Sequence, residues 1–450
     1  MSKTFARLLV VLLSLTLFAA ACGDSDDDAG DSDDGGSAAT QEDIDYAAIG
    51  LWDDGPCDES KPPLELGLMT VFESPVLSLK DQADALEASA TAFNERGGAN
   101  GSCIEVTVCD DGANTDQAIG CVRTVDEAGV VATVNDQGTA GQEEVSEAMT
   151  TAKIPRIASN VTNVDWDDPN AYPLDASGTG VTFLLPTALI AKDVTEIGLI
   201  RVDLAAASAL KGIIEGIYEG EATFPLDVGV PAGTTDFTQF ILAAQEAGAG
   251  GVTLALGEQE AIQVVKAGQQ LSTDLLIGSS LGTFPHATVT ELGDFASQMA
   301  FLWSFAPATA DLPIYDALRA DLAASGEEAL QPGNLKASPM RSWIGLYATL
   351  KMIRDSGMTE FTREGMTAML QAAKDVPMLD MFGGENWTPN TDHPGLFKRA
   401  GTNHWATYEW DADAENPVDG LEGNFVETSE ISFDEVLCGS IFGAPEPCPS

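Results

Sequence analysis

Apolar residues along this chain switch repeatedly between two periods. Ile104, Val106 and Val108 alternate with polar neighbours, which predicts one face of a strand. Asp110–Thr115 is rich in turn formers. Cys121, Val122, Val125 and Ala128 then recur at helical spacing, and Gly129 suits a helix C-cap because it enters left-handed backbone without a Cβ clash. Val130–Val134 is nearly all apolar, as a parallel strand covered on both faces requires. The stretch reads as one right-handed βαβ unit. In sheets built of such units, ligands lie beyond the C-terminal ends of the strands. Attention therefore falls on the residues just after Val108 and Val134.

The same two periods run on through the chain. Leu64–Thr70 reads as a strand, and Leu79, Ala83, Leu86, Ala90 and Phe93 mark an amphipathic helix that Gly97 and Gly98 end. Gly138 and Thr139 start another helix. Ile154–Ala158 is a strand whose Pro155 implies an early or edge position. Strands at Ile197–Val202, Phe224–Val230, Val252–Leu256, Leu275–Gly278 and Met299–Phe305 alternate with helices at Ala206–Tyr218, Asp236–Ala247 and Gln259–Gln270. Two such runs predict an α/β fold of two lobes with parallel, doubly wound sheets. Helices at Ile314–Ala324, Trp343–Ser356 and Arg363–Ala373 follow. Met378–Trp387 and Ala406–Trp410 read as strands, and the chain after Ala412 as acidic and irregular.

The N-terminus adds an address. Lys3 and Arg7 precede an apolar run from Leu8 to Phe18 and then Ala19-Ala20-Ala21-Cys22. Residues 1–21 are thus expected to be a secretory signal. The small residues before Cys22 resemble a bacterial lipobox, with Ala19 where leucine is usual; such a cysteine becomes the acylated first residue. Residues 23–45 hold ten acidic side chains and no basic one. Residues 22–61 are therefore expected to be a lipidated cysteine and a disordered, self-repelling linker that holds the domain off the membrane. The formal net charge of −50 makes nucleic acid and anionic lipid poor partners, since both need clustered Lys and Arg.

Six cysteines remain after Cys22, an even number that favours disulfides in an exported chain. Cys109 ends a strand and Cys121 lies on the helix that packs back over it, so these two pair best. Cys438 and Cys448 form a local pair in the tail, 438–450, and Cys57 and Cys103 are left by elimination. No CxxC pair or HExxH motif is present, and no cofactor or metal is expected.

Several stretches carry a likeness in the right order. They are FNERGGANG (Phe93–Gly101), IEVTVCDDGANTDQA, GVVATV, IPRIAS, AGTTDFTQFILAAQEAGAGGVTLAL (Ala232–Leu256), and the closing run from Phe382 to Asp413. Over about Leu64–Asp413 the chain resembles the type I periplasmic solute-binding proteins of ABC importers, in the branch that includes the leucine/isoleucine/valine-binding proteins. The resemblance implies two lobes joined by a three-strand hinge, closing on a ligand. Lobe 1 would be 62–182 with 308–378, and lobe 2 would be 183–307 with 379–437. It also implies a monomer on the outer face of the bacterial cell membrane, carrying a small polar ligand (an amino acid or related amide or organic acid) to permease subunits.

The resemblance also places candidate contacts. Asn135, Asp136, Gln137, Gly138 and Thr139 would offer amides and a hydroxyl to a ligand carboxylate, and Asn160, Val161 and Thr162 a carbonyl and a hydroxyl. Aromatic positions of the family fall at Ala206 and Gly257, and its acidic position falls at Ser280. These departures leave Asp203, Glu258 and Asp136 as candidate carboxylates for an amino group. Glu73 and Ser74 follow the first strand and are placed at the cleft by the architecture.

Three other readings use the same residues. Gly278-Ser279-Ser280-Leu281-Gly282 fits the GxSxG pattern of a serine hydrolase, with His286, His393 and His404 as the available bases. Asp411, Asp413, Glu415, Asp419 and Glu422 have the spacing of a calcium loop, but Asn416 and Pro417 break its pattern. The same fold also serves ligand sensors that signal to a membrane partner.

Overall fold

Leu64, Leu66 and Leu68 are fully buried in the first strand, and Gly67 leaves room for Val125 and Val130 to pack against its other face. The computed structural model describes residues 40–74, 78–138, 140–160, 167–203, 205–393, 397–440 and 443. The first sheet is all parallel: β1 (Leu64–Thr70), β2 (Ile104–Asp110), β3 (Ala132–Val134), β4 (Arg156–Ile157) and β5 (Ala171–Tyr172), in the order β2-β1-β3-β4-β5. Helices α1 (Lys80–Glu95), α2 (Thr115–Glu127) and α3 (Gln142–Ala152) cross over between its strands. The opening βαβ unit is therefore present, with β2 and β3 flanking β1.

After α4 (Ser177–Ile190) the chain builds a second sheet. Strands β6 (Glu196–Val202), β7 (Thr223–Val230), β8 (Gly251–Ala255), β9 (Leu276–Ser280) and β10 (Met299–Trp303) are parallel. They alternate with α5 (Leu210–Ile217), α6 (Thr238–Glu246), α7 (Glu258–Leu271) and α8 (His286–Glu291). The chain then returns to the first lobe as α9 (Pro313–Ala323), α10 (Ala337–Ser356) and α11 (Arg363–Ala372). It ends on an antiparallel hairpin, β11 (His404–Asp411) and β12 (Asn424–Ser432), and α12 (Phe433–Leu437). The second sheet has the order β12-β11-β10-β9-β8-β6-β7. This is the two-lobed type I arrangement.

Three crossovers join the lobes, near Leu174, Ser304 and Met381, and they bond to one another. The Ala306 amide donates to the Met381 carbonyl at 3.0 Å, and the Thr402 amide to the Leu174 carbonyl at 2.7 Å. Trp387 Nε1 donates to the Pro173 carbonyl at 3.0 Å. Gly401 has φ +79°, and a Cβ there would strike the backbone of Leu174 and Asp175, so the loop before β11 touches the first crossover at glycine distance.

Several expectations are corrected. Residues 40–61 are not disordered linker: Tyr46 and Leu51 are buried, and Trp52 stacks on Phe93 at 5.4 Å. Aromatic side chains supply apolar area that an acidic average conceals. Disulfides join Cys57 to Cys103 and Cys109 to Cys121. The Cys438–Cys448 pair reaches outside the described residues, as do the signal peptide and Cys22. Met378–Trp387 is no strand. Leu379 and Asp380 have φ of 49° and 65°, which extended chain excludes, and Val376 and Trp387 form a lone bridge. The stretch after Ala412 is not all irregular, because β12 pairs with β11 and buries Phe425 and Ile431. Its exposed Glu427 and Glu430 mark a charged sheet edge rather than a loop.

Candidate ligand-binding site

The C-terminal ends of the second-sheet strands converge on one side. Val202 ends β6 and Ser280 ends β9, while Leu254 and Ala255 close β8 before Leu256, Gly257 and Glu258 start α7. Facing them from the first lobe are Leu79 and Asp81 at the start of α1, Gln137 after β3, Asn160 after β4, and Lys336 at the N-cap of α10. Between the two sets lies a cavity of about 420 Å³, a size suited to a small ligand. Val181 on α4 and Trp303 add apolar surface to its wall.

Its charged floor joins the lobes. Lys336 Nζ lies 2.7 Å from Asp81 and 3.0 Å from Glu258. Burial pushes the Glu258 carboxyl above its usual range, and Lys336 does not cancel that effect. Burial also opposes the Lys336 charge, yet Asp81 and Glu258 outweigh it and raise the ammonium pKa. All three helix starts point at the cleft, and α1 and α7 each carry an acid in the first turn, where the macrodipole favours it.

The candidates named from sequence divide on this geometry. Gln137, Asn160, Gly257, Glu258 and Ser280 line the cavity. Asn160 Nδ2 donates to Gln137 Oε1. Asp136 does not line it: its carboxylate is buried, accepting from the Met69 amide at 2.9 Å and from the Thr133 hydroxyl. Gly138 lines a separate small pocket beside Asp136. The helix expected from Gly138 begins instead at Gln142, after Gly141. The reason is local: Gln137 bridges to Thr70 and donates to the Met69 carbonyl at 3.1 Å, which prolongs the sheet past β3. Asp203 is exposed and packs beside Gly229, and Glu73 and Ser74 also lie off the cavity. Thr139, Val161 and Thr162 are outside the described residues, as is the side chain of Ala206. Sequence reasoning missed Asp81 and Lys336. Asp81 opens a helix that was legible, whereas α10 begins six residues before the predicted Trp343, at Ala337.

The family model for periplasmic binding proteins matches residues 63–414. The chain belongs to the periplasmic binding protein family. No curated protein matches it. Among solved structures it is similar to an ABC transporter solute-binding protein from R. palustris in complex with 4-hydroxybenzoate. That likeness has 16% identity and a TM-score of 0.65, and covers 82% of this chain and 97% of the other. It is also similar to a fatty acid ABC transporter substrate-binding protein from Thermomonospora curvata (16% identity, TM-score 0.66, 86% and 96% covered). A leucine-binding protein from Thermotoga maritima is a third (12% identity, TM-score 0.61, 82% and 99% covered). At these identities the likenesses speak to the fold. They share with this periplasmic binding protein the two-lobed type I fold.

Two of the three histidines of the hydrolase reading are engaged elsewhere in this binding protein. His286 Nε2 meets the Glu422 and Gly423 carbonyls at 3.1 Å, and His393 Nδ1 lies 3.0 Å from Asp434. The acidic loop after Asp411 joins two antiparallel strands, not two helices, and Asn416 Nδ2 ties it to the Gly423 carbonyl at 2.7 Å. No described group of three His, Cys, Asp or Glu side chains is arranged to hold a metal ion.

His393 gives a pH signature. Burial alone would lower its pKa, but the Asp434 carboxylate and the Gly401 carbonyl outweigh burial and raise it. A raised folded pKa adds stability that is fully present below the unfolded value, near 6.5, and is lost as pH rises through the folded value. His393→Gln is therefore expected to destabilise the protein more at pH 5.5 than at pH 8.5. Urea unfolding at both pH values tests this, and an equal loss at both would refute the ion pair.

Proposed function

We propose that this chain is a solute-binding lipoprotein, anchored through Cys22 to the outer face of the cell membrane, that delivers a small ligand to an ABC importer. The observation that carries this reading is the cavity of about 420 Å³ lined from both lobes at the strand ends. The closing bodies are residues 62–182 with 308–378, and 183–307 with 379–437. The chain catalyses no reaction, works as a monomer and meets the permease when the lobes have closed on the ligand. Ligand contacts come from Gln137, Asn160, Gly257, Glu258 and Ser280, all of which face the cavity.

A ligand panel tests the reading. Amino acids, amides, organic acids and amines are added to the full chain and thermal unfolding is followed. A true ligand at 100 times its Kd should add about 2.7 kcal/mol of stability. Stabilisation by none of the four classes would remove the solute-binding assignment.

A further inference from the structure

The cavity has one basic side chain among its described lining residues, Lys336, and that ammonium is already held by two carboxylates. The internal stretches outside the described residues contain no Lys, Arg or His, so their sequences add no second cation. One ammonium against Asp81 and Glu258 leaves the site one negative charge in excess. Asp81 is more than nine-tenths buried and Lys336 and Glu258 are mostly so, which limits screening by solvent. Apolar Leu79, Val181, Leu254, Leu256 and Trp303 share the rest of the wall with neutral polar residues, among them Gln137, Asn160 and Ser280.

We propose that Asp81 and Glu258 make this cleft selective for a ligand bearing a protonated amine on an apolar body, with Lys336 holding the ligand-free site until the amine takes its place. This rests on the solute-binding reading above and names its ligand class. A carboxylate-only ligand would meet excess negative charge and no spare cation among the described lining residues. A ligand ammonium can donate to both carboxylates, and Trp303 and the leucines of the lining offer apolar surface to its body. Because Glu258 stands on the second lobe and Asp81 on the first, an amine bound to both ties the lobes together as Lys336 does.

The test is calorimetry on the full chain with matched probes, alkyl and aryl primary amines against carboxylates carrying the same apolar group. Amines are expected to bind, and Glu258→Gln and Asp81→Asn to weaken them roughly ten- to hundredfold, the scale of one charged hydrogen bond. Lys336→Met is expected to tighten amine binding, because it removes the competing ammonium. Thermal unfolding of each variant confirms that it is folded. Binding of carboxylates alone, abolished by Lys336→Met, would overturn the inference and leave the solute-binding reading standing. Failure of every probe would overturn this inference, and the four-class panel above then decides the solute-binding reading separately.

Discussion

Asp321→Ala is expected to cost this protein about 3–5 kcal/mol, the range for breaking one side of a buried ion pair. Asp321 sits on α9 with a fully buried side chain. It accepts from Arg96 Nη1 and Nη2 at 2.8 and 2.6 Å, from Trp343 Nε1 at 2.8 Å and from Gln41 Nε2 at 3.0 Å. Tyr46 stacks under the Arg96 guanidinium at 4.2 Å, and burial pushes its phenol up to about 12. Removing the carboxylate strands a buried guanidinium and an indole N–H. The double change Arg96→Met with Asp321→Leu should recover most of the loss, since it leaves no charge unpaired. Urea unfolding measures both, and a single variant as stable as the parent would show that the network carries no weight. Ligand affinity should stay unchanged, because the network lies within one lobe.

Arg341→Met should match it in stability and differ in function. Arg341 on α10 gives Nη2 to both oxygens of Asp175 at 2.9 Å, and both side chains are almost wholly buried. Asp175 also accepts from the Ser177 amide at 2.7 Å and from the Ser304 hydroxyl. Asp175 and Ser304 belong to two different crossovers, so the pair fastens the hinge itself. Leaving Asp175 buried without its cation is expected to cost about 3–5 kcal/mol. It should also shift ligand affinity, because the hinge sets the balance between open and closed lobes. Calorimetric affinity that is unchanged in Arg341→Met would separate this pair from lobe closure.

Much of the fold was legible because its signals are local. The alternation in Ile104–Val108, the helical spacing of Leu79 to Phe93 and the all-apolar Val252–Leu256 each depend on residues a few positions apart. The order of strands and helices, and from it the two parallel sheets, follows from such runs. Cys109 and Cys121 could be paired for the same reason, being twelve residues apart on a strand and its crossover helix.

The site was legible only in part. Gly257, Glu258 and Ser280 stand at strand ends, which any parallel sheet turns toward its ligand. Asp136 looked equally well placed, yet two hydrogen bonds from the Met69 amide and the Thr133 hydroxyl draw it into the sheet. Tyr46 and Trp52 looked like part of an acidic tether until Arg96, Phe93 and Arg354 met them from elsewhere in the chain. Local periodicity thus reached most of the elements and their order, but not β5, α4 or β12, and it misread Met378–Trp387 as a strand. The lining of the cleft was decided by folding, because the meaning of a charge depends on its burial and partners. Asp81, Glu258 and Lys336 lie far apart in the chain, and only the packed lobes bring one ammonium between two carboxylates.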